Sequence, residues 1–162
     1  MRYSIVAFAV LLSNSSASAQ TAPADLKDQA AVVRYAEGAS LRALNFVQGN
    51  IMSLVDAQDD FTPQGWSEFM KKLTGWLDDK GAPKFSSNFS PSGKALDIHQ
   101  EEGAVRLTIP GILKQESRNE FGGVSRTTYR VEVDIQLSEK PVKIERLEQR
   151  TCAGAKTKAS CR

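Results

Sequence analysis

The chain predicts an α+β fold, with N-terminal helices packed on one face of an antiparallel sheet. Three observations carry this. Apolar residues between Leu26 and Leu77 recur every three or four positions, the spacing of a helix face. Beyond Pro83 the period drops to two, the spacing of a half-buried strand. The alternating runs are separated by short turn-like stretches, so consecutive strands are joined as hairpins.

The hinge of the helical half is Phe61-Thr62-Pro63-Gln64-Gly65-Trp66. Thr62 can cap a new helix through its hydroxyl, and Pro63 suits the first helical position, where its missing N–H removes no bond. Trp66, Phe69, Met70, Leu73, Trp76 and Leu77 then form one wide stripe, and Gly81 with Pro83 signals the stop. Both tryptophans lie on this stripe and are expected in the core, with Trp66 joining the helices to the sheet.

Upstream, a helix is expected from about Leu26, with Leu26, Ala30 and Val33 on one face and a break or bend at Gly38 and Ser40. A second helical stretch is expected to carry Leu44, Val47, Ile51, Leu54 and Val55, ending at Asp59-Asp60 as solvated turn residues. In the second half, Phe85 and Phe89 flank serines, and Leu96 and Ile98 alternate with Asp97 and His99. Glu101-Glu102-Gly103 makes a turn, and Val105, Leu107 and Ile109 alternate again until Pro110-Gly111 interrupts the ladder as a bulge or an edge. Asn119 to Gly123 turns the chain into the clearest strand, Tyr129 to Leu137, and Lys140-Pro141 leads into Val142, Ile144 and Leu147.

The two ends read differently. Met1-Arg2, the apolar run Ile5 to Leu12 and the small-x-small sequence Ala17-Ser18-Ala19 form a secretory signal peptide, residues 1–19, with cleavage between Ala19 and Gln20. The run is shorter than the roughly 20 residues that span a bilayer; an uncleaved inner-membrane anchor is the alternative. Residues 20–25 are a flexible lead-in, 26–150 one domain, and 151–162 a basic tail with Lys156, Lys158 and Arg162. Export makes a disulfide between Cys152 and Cys161 the expected state, against a metal site for which two thiols without a neighbouring His are a poor set.

Chemistry is sparse. The full chain has a formal charge of +2, and cleavage removes one cation, Arg2, and no anion, which argues against a nucleic-acid surface. The one histidine, His99, falls on the polar phase of a strand. Asp59-Asp60 and Glu101-Glu102 are adjacent acids that point apart in extended chain. Asn88-Phe89-Ser90 matches a glycosylation acceptor, relevant only in a eukaryotic secretory route. No catalytic or metal-binding residue and no cofactor is assigned. The prolyl edge at Pro110 and Gly111 is the candidate interaction site.

Val33-Arg34-Tyr35-Ala36, then Leu44-Asn45-Phe46, then Phe61-Thr62-Pro63-Gln64-Gly65-Trp66-Ser67-Glu68-Phe69 resembles the DotI/IcmL/TraM family of type IVB secretion and conjugation systems. Phe61, Thr62, Gly65, Trp66 and Phe69 carry its most specific string, and the resemblance covers residues 33–150. It implies a periplasmic domain with a cystatin-like, nuclear-transport-factor-like fold, a curved antiparallel sheet wrapped around helices. It also implies an assembly role through protein–protein binding, not catalysis. The partners would be other apparatus proteins, with further copies of this chain an open alternative. The chain differs in its cleavable leader and its cysteine tail. The competing class is a small-ligand binder or enzyme using the cone between helices and sheet.

Overall fold

The computed structural model describes residues 22–152. The leader, its cleavage site at Ala19-Gln20, and most of the tail including Cys161 lie outside the described residues. Helix α1 is Gln29–Leu44, α2 Met52–Val55 and α3 Pro63–Leu73. The strands are β1 Ser86–Pro91, β2 Leu96–Glu101, β3 Ala104–Arg118, β4 Val124–Glu139 and β5 Val142–Thr151. The sheet is curved, open and antiparallel, in the order β1-β3-β4-β5, with β2 beside β1 on the same flank of β3. The α+β fold class expected from the two periodicities is therefore the observed one.

Helix α1 starts where Asp28 accepts a hydrogen bond from the Ala31 N–H at 3.0 Å. Its buried face is Val32, Tyr35, Ala36, Ala39 and Ala43. The three alanines carry no bulk, so the helix can lie close to the sheet. The expected bend is absent. Ser40 is fully buried and donates its hydroxyl to the Ala36 carbonyl at 2.7 Å, which satisfies it inside a continuous helix.

The expected second helix is also corrected. Helix α1 stops at Leu44, and Phe46 pairs as an isolated bridge with Ser87 through two main-chain bonds. Gly49, at φ +74°, then turns the chain, and only four residues wind into α2. Leu44 and Leu54 are buried, but Val47, Ile51 and Val55 are exposed. The cause is tertiary: Phe46 is drawn into a cluster with Trp76 and Phe85, at ring separations of 6.1 and 5.7 Å.

The sheet corrects two further expectations. Strand β3 runs unbroken through Pro110 and Gly111, which pair with Glu132 and Val131 of β4. These residues are therefore neither at an edge nor in a bulge. The Pro110 carbonyl accepts from Ser92 N–H at 2.8 Å, on the flank where the chain crosses from β1 to β2. The missing prolyl N–H faces that gap, where it removes no ladder bond. Gly111 is buried under Phe89, whose ring would lie 2.2 Å from a Cβ there. Strand β2 does not alternate cleanly either. Its register shifts between Leu96 and His99, Asp97 has φ +48°, and Leu96 is 44% exposed.

The turns fall where expected. Gly103 takes φ +75° between β2 and β3, and Asn119 Oδ1 accepts from the N–H groups of Phe121 and Gly123 between β3 and β4. Val105, Leu107, Ile109 and Leu113 of β3 and Val131, Val133, Ile135 and Leu137 of β4 form the core under the helices. Among the described residues no helix is long and apolar enough to cross a membrane.

Candidate functional site

The hinge residues converge on the outer edge of β5. Phe61 forms a parallel bridge with Ile144, and Thr62 N–H donates to the Ile144 carbonyl at 2.9 Å. The Thr62 hydroxyl then accepts from Gly65 N–H at 3.0 Å and caps α3. Gly65 is the point of closest approach: a Cβ there would stand 2.5 Å from the Ile144 carbonyl oxygen and 2.8 Å from that of Glu145. Only a hydrogen at that position lets α3 seat on β5. Phe61 stacks on Phe69 at 5.1 Å, and Trp66 meets both rings at 5.5 and 5.7 Å. The string Phe61, Thr62, Gly65, Trp66 and Phe69 thus docks the helices onto one edge of the sheet.

The tryptophans do not share one buried face. Trp66 and Trp76 are both half-buried and sit in separate aromatic clusters, because α3 ends at Leu73 and a tight turn through Thr74–Trp76 replaces the helix expected to reach Gly81.

Sequence reasoning missed the clamp just before the hinge. Asp60 is 8% exposed, not solvated, and receives both Nε and an Nη of Arg42 at 2.6 and 2.9 Å. The Tyr35 hydroxyl donates to the Asp60 carbonyl at 3.4 Å. Burial and the Asp60 charge push the Tyr35 phenol up to about 12. The Asp60 bond raises the Arg42 guanidinium further. The only available signal was the spacing of Tyr35 and Arg42 on one face of α1, which by itself names no partner.

Below the hinge a groove of about 340 Å³ opens between α3 and the second half of β5, lined by Leu44, Phe69, Leu73, Trp76, Leu147 and Gln149. Its rim carries the ion pair of Lys72 with Glu148, which Arg146 also contacts at 2.7 Å. The Lys72 and Arg146 bonds hold the Glu148 carboxyl below the usual range. The Gln149 amide oxygen is buried and has no hydrogen-bond partner among the described residues.

On the sheet's opposite face, Thr108 Oγ1 donates to Asp134 at 2.7 Å, and Arg150 pairs with Asp134 at 2.6 Å and with Glu132 at 3.5 Å. His99 is exposed at the rim of a shallow polar depression with Arg106 and Asp134. Among the described residues no cluster of His, Cys, Asp and Glu has the geometry to hold a metal. Cys152 closes β5, donating its N–H to the Arg130 carbonyl at 2.9 Å; its expected partner, Cys161, lies outside the described residues.

No family model matches the sequence, and no curated protein matches it. Solved structures do. An IcmL-like type IV secretion system protein from Legionella pneumophila is 14% identical, with 85% of this chain and 99% of that chain covered at a TM-score of 0.57. The periplasmic domain of DotI is 15% identical, with 76% and 95% covered at 0.56. A periplasmic fragment of TraM is 14% identical, with 77% and 98% covered at 0.54. This chain therefore has the fold of these three proteins over most of its length.

Proposed function

We propose that the protein is an exported component of a type IVB secretion or conjugation apparatus, acting in the periplasm by binding other apparatus proteins. The observation that carries this is the coincidence of a shared fold with a motif at its structural joint. One neighbour is an IcmL-like type IV secretion system protein and two are periplasmic pieces of DotI and TraM, and nearly the whole of each is covered. The string that prompted the family resemblance is the one that docks α3 on β5. Fold alone does not define function. The filled interior supports binding over catalysis, because the concave side of β3 and β4 presents valine, leucine and isoleucine to the helices.

This reading includes removal of residues 1–19, a single domain from Leu26 to Arg150, and a Cys152–Cys161 disulfide that ties a basic tail to the end of β5. The test is deletion of the gene. Transfer of DNA or protein to recipient cells falls and returns with the wild-type copy. Unchanged transfer, together with turnover of a small molecule by the purified domain, would replace this reading with the enzyme one.

A further inference from the structure

Among the described residues, the outer edge of β5 is used along only part of its length. The Cys152 N–H points toward β4, onto the Arg130 carbonyl, and antiparallel alternation carries that direction back in steps of two through Arg150, Glu148 and Arg146. The main-chain groups of Leu147, Gln149 and Thr151 therefore point away from the sheet. Among the described residues, the edge pairing of β5 is confined to Ile144, which Phe61 and Thr62 occupy. Side chains of Leu147 and Gln149 lie on the helix-covered side, across from Ile135 and Val133, and so face the groove floored by Leu44, Leu73 and Trp76.

We propose that this half-edge and groove take an extended segment of a partner protein, which adds to β5 as a further strand and places an apolar side chain between Leu73 and Trp76. The proposal rests on the apparatus reading above and names the surface that reading requires. Three features specify this occupant. A row of outward N–H and C=O groups is matched by another backbone in extended form and not by a helix or a lipid. Among the described residues the buried Gln149 amide oxygen has no partner, and such an acceptor is disfavoured unless a donor arrives. The site also continues a pairing already present, since Phe61 adds to the same edge as a parallel bridge at Ile144. The Lys72–Glu148 pair at the rim is half-exposed and can part without leaving a buried charge.

The experiment selects random linear phage-displayed peptides against the purified exported protein and measures amide hydrogen exchange with and without the enriched peptide. The amides of Leu147, Gln149 and Thr151 exchange freely in the dilute protein and become protected with peptide. Thr151→Pro deletes one outward N–H and no ladder bond, so it weakens binding at least about tenfold with little change in melting temperature. Gln149→Leu gives opposite signs, a higher melting temperature for the free protein and weaker peptide binding. A purely structural role would move only the first. Failure to enrich any peptide, or peptides that bind without protecting these amides, overturns the proposal. So does protection already present in the dilute protein, which means the chain covers its own edge, or protection that grows with protein concentration, which means a second copy does. Any of these leaves the apparatus reading standing if gene deletion still lowers transfer.

Discussion

The two halves of the outer edge of β5 solve the same problem in opposite ways. Around Ile144 the edge is closed by the chain itself: a strand bridge from Phe61, a capped helix start at Thr62, and a glycine that permits backbone contact. From Leu147 to Thr151 the same strand borders an open groove whose wall holds a buried amide oxygen unpaired among the described residues. An open sheet edge tends to recruit another strand. Closing one half internally and leaving the other beside an apolar groove confines recruitment to a short stretch of known register.

The largest expected effect comes from the closed half. Gly65→Ala adds a methyl against two main-chain oxygens that cannot rotate away, so α3 must lift from β5, at about 3 kcal/mol by the usual scale of overpacking. Gly75→Ala is the control, because nothing lies within 4 Å of its Cβ position. Denaturant unfolding separates the two: a large loss for the first and little change for the second. Equal effects would show that glycine flexibility, not close approach, governs Gly65.

Trp66→Ala is next. The ring is half-buried and meets Phe61 and Phe69, so its loss falls below the fully buried range, at about 2 kcal/mol. A mutant that melts like wild type but no longer binds its partner would make Trp66 a contact residue instead.

Burial and the neighbouring Asp60 charge favour the neutral Tyr35 phenol in the folded protein. Its raised ionisation, about 12 when folded, makes it a source of stability that is fully present below pH ~10, the unfolded value. Above that pH the unfolded chain ionises first, and this stability is lost as pH rises toward about 12. Melting temperature is therefore expected to sag across that window, and Tyr35→Phe should flatten the sag. An identical sag in the mutant would assign it to other groups.

The smallest effect belongs to the open half. Lys72→Ala removes one partner of a half-exposed ion pair and changes stability by less than about 1 kcal/mol. A loss as large as that of Gly65→Ala would mean that the groove wall is as fixed as the hinge.

The legible parts of the fold were those set by local chemistry. Thr62-Pro63 announced the start of α3, and the alternation of β4 from Tyr129 to Leu137 announced a strand with one buried face. Long-range competition decided what was misread. The stripe from Leu44 to Val55 has good helical spacing, yet Phe46 gains more by joining Trp76 and Phe85 and pairing with Ser87, so Val47, Ile51 and Val55 face solvent. Pro110-Gly111 looked like an edge because proline lacks a donor. The neighbouring flank of β3 is shared by two short strands, and the missing donor falls in the gap between them. The Asp60 clamp and the open half of β5 were invisible because both depend on residues far apart in the chain.

On the proposed reading, the protein works by binding apparatus proteins at the sheet edge beside α3. Its most direct measurement is photo-crosslinking in intact cells from a probe at Lys72, on the groove rim, with a second probe at Phe121, 94% exposed on the β3–β4 hairpin, for comparison. Discrete adducts with secretion or conjugation proteins are expected from Lys72, and they are lost in Thr151→Pro. Absence of any apparatus protein among the adducts from Lys72, whatever Phe121 captures, overturns this reading.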